Sequence, residues 1–544
     1  MREYRGFCTQ KELGALLGLA ALLMGCEVPG QSGSSTFSNP TTSNQSASGA
    51  GGGLKTYSVS PSGTFVSISP NSVQTVNSGS SKAFTVTANS GYTISTSVGG
   101  NCSAGNWSGS TYTTGAITGN CSVSFSASPN PSPSPSMSPI PGGANSVSVG
   151  ETGVCIVSGI GTNVYCWGQN NTIAGATNGS VLGISTGYET QNTPAEVVGQ
   201  GGSGFLSGIS NISAGGSYCA VFSGNVYCWG LNTSGQLGNY TTTSNQNSPV
   251  EVLAVGGSGF LSGVSQVASG ESFACALASG HVYCWGDNTY GQLGYGATGG
   301  AITIPVEVVG VGSSGVLSGI SQITAGGMHA CALSSSGNIY CWGANGHGEL
   351  GNNSTTQANS PVEVVGTSGS GVLSLVTQVV SGYYMTCSLS SSENVFCWGF
   401  GAQLGIGSPS ATDPQLIPIE VVGVGGSGFL SGITQISAGY VGACAVSSGK
   451  NVYCWGGLDL NGGNMTGYPV EVLGVGGSGV LSNIVSVSVS EQIACALSSS
   501  DNVYCWGDDL YGQLGNNTSW DGSTEPGSVS GVQDSSTPVE VWGL

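Results

Sequence analysis

Basic side chains are nearly missing from this sequence. Of 544 residues, 6 are lysine or arginine against 25 aspartate or glutamate, and the formal net charge is -19. After Lys11 the basic residues are Lys55, Lys82 and Lys450, and arginine does not recur. Nucleic-acid backbones are held through lysine and arginine, so no nucleic-acid partner is expected. An acidic surface without arginine is equally unsuited to anionic lipid headgroups. Histidine is also scarce, with His281, His329 and His347 the full set. The sequence contains no Gly-x-Ser-x-Gly elbow, no His-Glu-x-x-His pair and no phosphate loop, and so lacks those nucleophile, metal and phosphate signatures. We therefore expect no catalytic residue, no cofactor and no metal site. Asp508-Asp509 is the one paired carboxylate considered for calcium. Calcium needs about six to eight oxygens, and no EF-type loop follows, so the pair is expected to be solvated.

Glycine and cysteine are plentiful: 96 and 18 residues respectively. So much glycine could signal disorder, but Val, Ile, Leu, Tyr and Trp return regularly and give each stretch apolar surface to bury. Cys-Trp-Gly begins at Cys166, Cys228, Cys284, Cys341, Cys397, Cys454 and Cys505. A second cysteine precedes each, at Cys155, Cys219, Cys275, Cys331, Cys387, Cys444 and Cys495, and Cys102 and Cys121 form a further couple. Structural zinc favours short knuckles with added histidine, whereas these couples are widely spaced and histidine is rare. Such an even framework reads as disulfides of an oxidising compartment, each joining neighbouring strands.

The N-terminus has the layout of an export signal. Arg2, Arg5 and Lys11 precede the apolar run Leu13 to Met24, which is too short to span a bilayer. Residues 31–53 are mainly Ser, Thr, Asn and Gly, a flexible spacer. Residues 54–128 alternate in short runs (YSVS, FVSIS, FTVTA, YTIST, VSFSA), which predict a small antiparallel β module. Pro-rich residues 129–143 form a semi-rigid boundary, and residues 144–544 hold the cysteine repeats.

A repeat period in the fifties that carries strands and turns means a ring or stack of all-β units. Within Gly337–Gly343, Ile339 and Cys341 face one side and Tyr340 and Trp342 the other. If the rings of one sheet pack on the alanines of the next, both faces are buried. Pro-x-Glu-Val strands begin at Pro194, Pro249, Pro305, Pro361, Pro418, Pro469 and Pro538, and six are followed by a Gly-Ser-Gly turn (Gly-Ser-Ser-Gly after Pro305) and a Leu-Ser strand. The first hairpin has no such strand before it, and the last such strand has no hairpin after it. The final strand is therefore expected to complete the first unit and close the ring.

Three stretches carry resemblances. Leu23-Met24-Gly25-Cys26 resembles the lipobox of bacterial lipoproteins. That resemblance implies a signal peptide over residues 1–25, acylation of Cys26, and a tether over 26–53. With Glu27 following, it implies a cell-envelope protein sorted to the outer membrane, touching membrane through its lipid alone. An ordinary secretory signal is the competing reading. Residues 54–128 loosely resemble the internalin-type B-repeat modules of bacterial surface proteins. The plan A-G-x-x-x-x-C-A-L, then Y-C-W-G and G-Q-L-G (Gly235 to Gly238, Gly291 to Gly294, Gly512 to Gly515), resembles the repeat of the regulator of chromosome condensation family. It implies an all-β seven-bladed β-propeller following the small antiparallel β module. The first and sixth copies lack G-Q-L-G. The eukaryotic namesake acts in nucleotide exchange and chromatin binding, which this charge balance and export signal disfavour.

Site residues are sought where the copies differ. The turns after Ala-Gly carry Tyr218, Glu271, Phe273, Met328, Tyr383, Tyr384, Tyr440 and Glu491. On a ring these turns gather on one face, where such residues would suit a protein partner of a monomeric propeller. Filling of gaps between blades is the alternative role. His329 occupies one such position and is assigned to packing or capping, and His281 and His347 are taken as structural. The function expected is that of a lipid-anchored interaction or adhesion module, at the cell surface or in the periplasm. A propeller-type protein inhibitor of a secreted enzyme is the second reading.

Overall fold

The computed structural model describes residues 55–64, 66–88, 92–95, 98–129, 140–170, 181–184, 190–242, 245–407, 413–440, 442–457, 466–491, 493–517 and 535–544. Cys26, the export signal, the tether and most of the Pro-rich boundary lie outside these residues. The chain divides into two compact units, Met1–Ser132 and Pro133–Leu544. All regular structure described is β apart from short 3₁₀ turns.

The first unit stacks two sheets on an apolar core of Val59, Phe84, Val86, Tyr112, Ile117, Val123 and Phe125. Its period-two runs form strands as expected. One pairing departs from the antiparallel expectation, because the first strand (Thr56–Thr64) and the last (Cys121–Pro129) run parallel. The chain between them contributes strands to both sheets, and the two end side by side in the interior of the first. Cys102–Cys121 is closed.

The second unit is a seven-bladed β-propeller. Seven four-stranded antiparallel sheets follow one another along residues 144–196, 209–251, 264–307, 320–363, 376–420, 433–471 and 484–540, here blades 1 to 7. In blade 4 the strands run from the axis outward as Ile320–Ala325, His329–Ser334, Ile339–Gly343 and Ala358–Glu363. The Pro-x-Glu-Val segment is the outer edge strand, where a proline withholds its missing N–H from no partner. Its glutamate accepts a hydrogen bond across the blade from Asn163, Asn225, Asn338 or Asn451, and in blade 3 from His281 Nδ1 at 3.1 Å. His281 is thus an edge clamp.

The seven cysteine couples are directly opposite one another in the two middle strands, with Cα atoms 4.0–4.1 Å apart. Every expected disulfide is closed: Cys155–Cys166, Cys219–Cys228, Cys275–Cys284, Cys331–Cys341, Cys387–Cys397, Cys444–Cys454 and Cys495–Cys505. The aromatic packing differs from expectation. Ala330 is the cross-strand partner of Trp342 and Ala332 that of Tyr340, so the alanines share a face with the rings of their own sheet. Small side chains there leave the indole room to lie flat. That face meets the disulfide face of the preceding blade, with Ala330, Ala332 and Trp342 packing on Cys275, Leu277, Val282 and Cys284.

Closure also differs. The last strand, Ser535–Glu540, pairs with the cysteine strand of its own blade, Cys505 facing Val539, and does not complete blade 1. Each blade is contiguous because Ala144–Val149 already supplies blade 1 with its inner strand. The ring nonetheless closes by packing. Val149, Ile156 and Trp167 of blade 1 share a core with Ile493, Cys495, Val503 and Leu514 of blade 7. Trp167 Nε1 donates to the Gln513 carbonyl at 2.8 Å, and Val149 N donates to Ser488 Oγ at 3.0 Å. These are the bonds seen at ordinary blade interfaces, where Trp285 donates to the Gln236 carbonyl and Val489 N to Ser437 Oγ.

The Leu-Ser segments are not strands. Glycines such as Gly256, Gly257 and Gly259 have positive φ, which turns the chain and lets only an isolated bridge form, Leu253 with Phe260. Leu206, Leu261, Leu317, Leu373, Leu430 and Leu481 then plug the blade interfaces.

Candidate functional site

Antiparallel blades send alternate connections to opposite faces of the ring. The turns between the first and second strands, together with the Gly-Gln-Leu-Gly loops, occupy one face, and the Gly-Ser-Gly loops occupy the other.

On the first face the seven inner turns converge on the axis around a cavity of about 90 Å³. Glycine recurs here for a local reason. A Cβ on Gly382 would lie 2.2 Å from the Gly439 carbonyl, and one on Gly326 would lie 2.2 Å from that of Gly382. The backbone nitrogen that follows uses the same approach: Gly216 N donates to Gly270 O, Gly327 N to Gly382 O, and Tyr383 N to Gly439 O. In blades 1 and 5 the donors are Glu151 N, to Gly215 O, and Tyr383 N, so the bond fixes where those side chains leave the backbone. Glu151, Glu271, Tyr383, Tyr440 and Glu491, the turn residues of blades 1, 3, 5, 6 and 7, all line the cavity.

Electrostatics there is dominated by burial of like charge. Burial, with Glu271 and Glu491 nearby, pushes the Glu151 carboxyl up to about 8. Glu271 is raised by burial and, less, by Asp287, against a hydrogen bond from Tyr383 Oη to its Oε2 at 2.9 Å. Glu491 is raised by burial, then by Glu271 and Asp508. Burial and neighbouring acidic groups also raise Tyr383, and Tyr384 is pushed up to about 12. Tyr383 lies 4.5 Å from Tyr384 and 4.4 Å from Tyr440 between ring centroids, and His347 meets Tyr384 edge-on at 4.8 Å and Phe400 at 5.2 Å. Among the described residues, no three histidine, cysteine, aspartate or glutamate side chains are grouped so as to hold a metal ion.

The structure brings together Glu271, Tyr383, Tyr384, Tyr440 and Glu491 of the expected set. Tyr218 and Phe273 are buried and belong to the blade cores, Tyr218 stacking on Trp229 at 6.0 Å. Met328 is half-buried and outside the cavity wall. For these turns both roles, contact surface and gap filling, are therefore realised in different copies. His329 is a filler. It is buried, its Nε2 lies 2.9 Å from Thr386 Oγ1, and Thr386 in turn donates to the Glu349 carbonyl. That chain makes Nε2 the protonated nitrogen, and burial brings the imidazole down to about 4.

Asp509 is a correction. It is buried and accepts the Leu514 N–H at 3.0 Å, the role filled elsewhere by Asn232, Asn288 and Asn345, so only Asp508 keeps partial exposure. The first blade also has a stand-in for Gly-Gln-Leu-Gly, since Leu182 N donates to Asn170 Oδ1 and Trp229 Nε1 donates to the Leu182 carbonyl.

Glu151, Ser269, Ser381, His347 and Phe400 were missed as site residues. The signal for Glu151 was available: it stands four residues before Cys155, as Glu271 does before Cys275 and Glu491 before Cys495.

Comparison with known proteins agrees with this architecture. The family model described as RCC1-like domain matches residues 172–541. The chain belongs to that family. This RCC1-like chain is 29% identical over 318 residues to the ultraviolet-B receptor UVR8 of Arabidopsis thaliana, covering 56% of this chain and 67% of the receptor. It is 29% identical over 370 residues to the human E3 ubiquitin-protein ligase HERC2, covering 66% of this chain but only 7% of the ligase. Among solved structures, human WBSCR16 aligns with TM-score 0.52 at 20% identity, over 69% of this chain and 89% of that one. Yeast RCC1 (Prp20), solved with Kap60 bound to it, aligns with TM-score 0.52 at 19% identity over 70% and 83%. At these identities the RCC1-like fold is what is shared.

Proposed function

We propose that this RCC1-like protein is an exported, lipid-anchored protein-interaction module that meets its partner with the axial face of the propeller. The observation that carries the reading is the concentration of Tyr383, Tyr384, Tyr440, His347 and Phe400 beside Glu271 on that face. Partly exposed aromatics around a desolvated centre are what protein contacts are built on. Yeast RCC1, a protein of the same fold, has been solved with Kap60 bound to it. Export, acylation at Cys26 and outer-membrane placement rest on the N-terminal sequence, and the first unit would serve as a stalk.

The experiment is site-specific photo-crosslinking in the native host. A benzophenone side chain at Tyr384 should give a discrete protein adduct, and one at Thr162 on the opposite face should not. Adducts from Thr162 alone would contradict the reading. Loss of radiolabelled palmitate from a Cys26→Ser variant tests the anchor. The same aromatic face would serve an inhibitor of a secreted enzyme, in which case the adduct is an enzyme whose rate falls on binding.

A further inference from the structure

We infer that the axial cavity of the propeller is a binding site for a primary alkylammonium group, the lysine side chain of a partner or a free small amine. Three observations converge on it. Glu151, Glu271 and Glu491, from three different blades, present carboxylates to one small space. Ser269 and Ser381 stand in the same wall, 7% and 8% exposed, and neither hydroxyl has a hydrogen-bond partner. Tyr383 and Tyr440 line the same cavity, their ring centroids 4.4 Å apart and their planes tilted by 52°. Glu271 already accepts from Tyr383, but buried hydroxyls without partners are costly, and a ligand that brings donors relieves them together with Glu151 and Glu491.

A primary ammonium brings three N–H donors and no acceptor, and tyrosine faces attract the same charge. A metal ion fits less well, because no three carboxylates group tightly enough among the described residues. A quaternary ammonium would satisfy the rings and leave the oxygens unpaired. The cavity of about 90 Å³ has room for several waters, each needing about 10–15 Å³ of such space, which suits an ammonium head with its first methylenes.

Binding should strengthen as pH rises, because the carboxylates must be ionised to hold a cation. The groups that set this dependence are Glu151, Glu271 and Glu491, with Asp287 and Asp508 behind them. Tyr218, Tyr383 and Tyr384 also face these carboxylates but are raised out of the range.

The assignment stands apart from the interaction reading: failed crosslinking would leave it intact, and failed amine binding would leave face docking intact. The test is isothermal titration of the exported chain with n-butylammonium, tetramethylammonium and sodium at pH 6 and pH 9. We expect one site for n-butylammonium, at least tenfold tighter at pH 9, and at least tenfold weakened in Glu151→Gln and in Ser269→Ala. Thermal unfolding of each variant, and unchanged binding in Glu363→Gln at the outer edge, show that the fold is kept. A peptide with one internal lysine that binds more tightly than n-butylammonium identifies a protein source, and one that binds no better identifies a free amine. Sodium or tetramethylammonium binding as well as n-butylammonium, or indifference to Glu151→Gln, would overturn the assignment.

Discussion

His329 shows how one position in a repeat can hold different chemistry without changing role. Its counterparts include Phe273, Met385 and Ile493, all buried, and the side-chain-free Gly442. The imidazole is tolerated because Thr386 gives Nε2 an acceptor, while Nδ1 is left without a partner. Burial lowers its folded-state titration to about 4, below the ordinary ~6.5 of the unfolded chain. A depressed histidine contributes stability that is present above about pH 6.5 and is lost as pH falls through about 4. His329→Phe should therefore flatten the fall in thermal midpoint between pH 6.5 and pH 4, measured by calorimetry. An unchanged slope would mean the imidazole is solvated. Such a role was legible in part: absence of histidine from the other copies argued against catalysis, but only the neighbouring Thr386 reveals the tautomer.

At the scale of the element, the blade is the unit that the sequence specifies most fully. Cysteine spacing, alternation and the Pro-x-Glu-Val edge each reported the correct strand, and all eight disulfide pairings could be read from them. What was not legible is which sheet a strand joins and which neighbour a face meets. Trp342 and Ala330 alternate identically whether they pack together or on different sheets, since period two fixes the face but not the partner. The Leu-Ser segment misled for a related reason: an apolar residue between serines looks like a strand until flanking positive-φ glycines turn it. The hairpin staple itself gives a prediction. Replacing Cys275 and Cys284 by alanine should cost about 2–3 kcal/mol in denaturant unfolding under oxidising conditions, from loop closure alone. A loss below about 0.5 kcal/mol would place those sulfurs outside the cooperative core.

The whole molecule adds what no repeat contains. Gln266, Gln322, Gln378 and Gln435 each reach the next blade's backbone, accepting from Ile323, Val379, Ile436 and Val487, but Ser486 and Val147 continue the series at the closing seam. The seam relies instead on Trp167, Val149 and the shared core. Closure brings carboxylates from blades 1, 3 and 7 into one space, and this could not be read from any single copy. Its consequence has a definite sign. Glu151 is raised from the ordinary range to about 8, so its contribution to stability is complete below about pH 4.5 and is lost as pH rises through about 8.

That titration is the most direct test of the closed ring and its axial site together. Carbon-detected magnetic resonance of glutamate carboxyls, assigned by Glu151→Gln, should show Glu151 titrating near pH 8, and moving down when n-butylammonium is added. A Glu151 midpoint near the ordinary ~4.5 would contradict the account, because the closed wheel buries that carboxylate and sets it against those of Glu271 and Glu491.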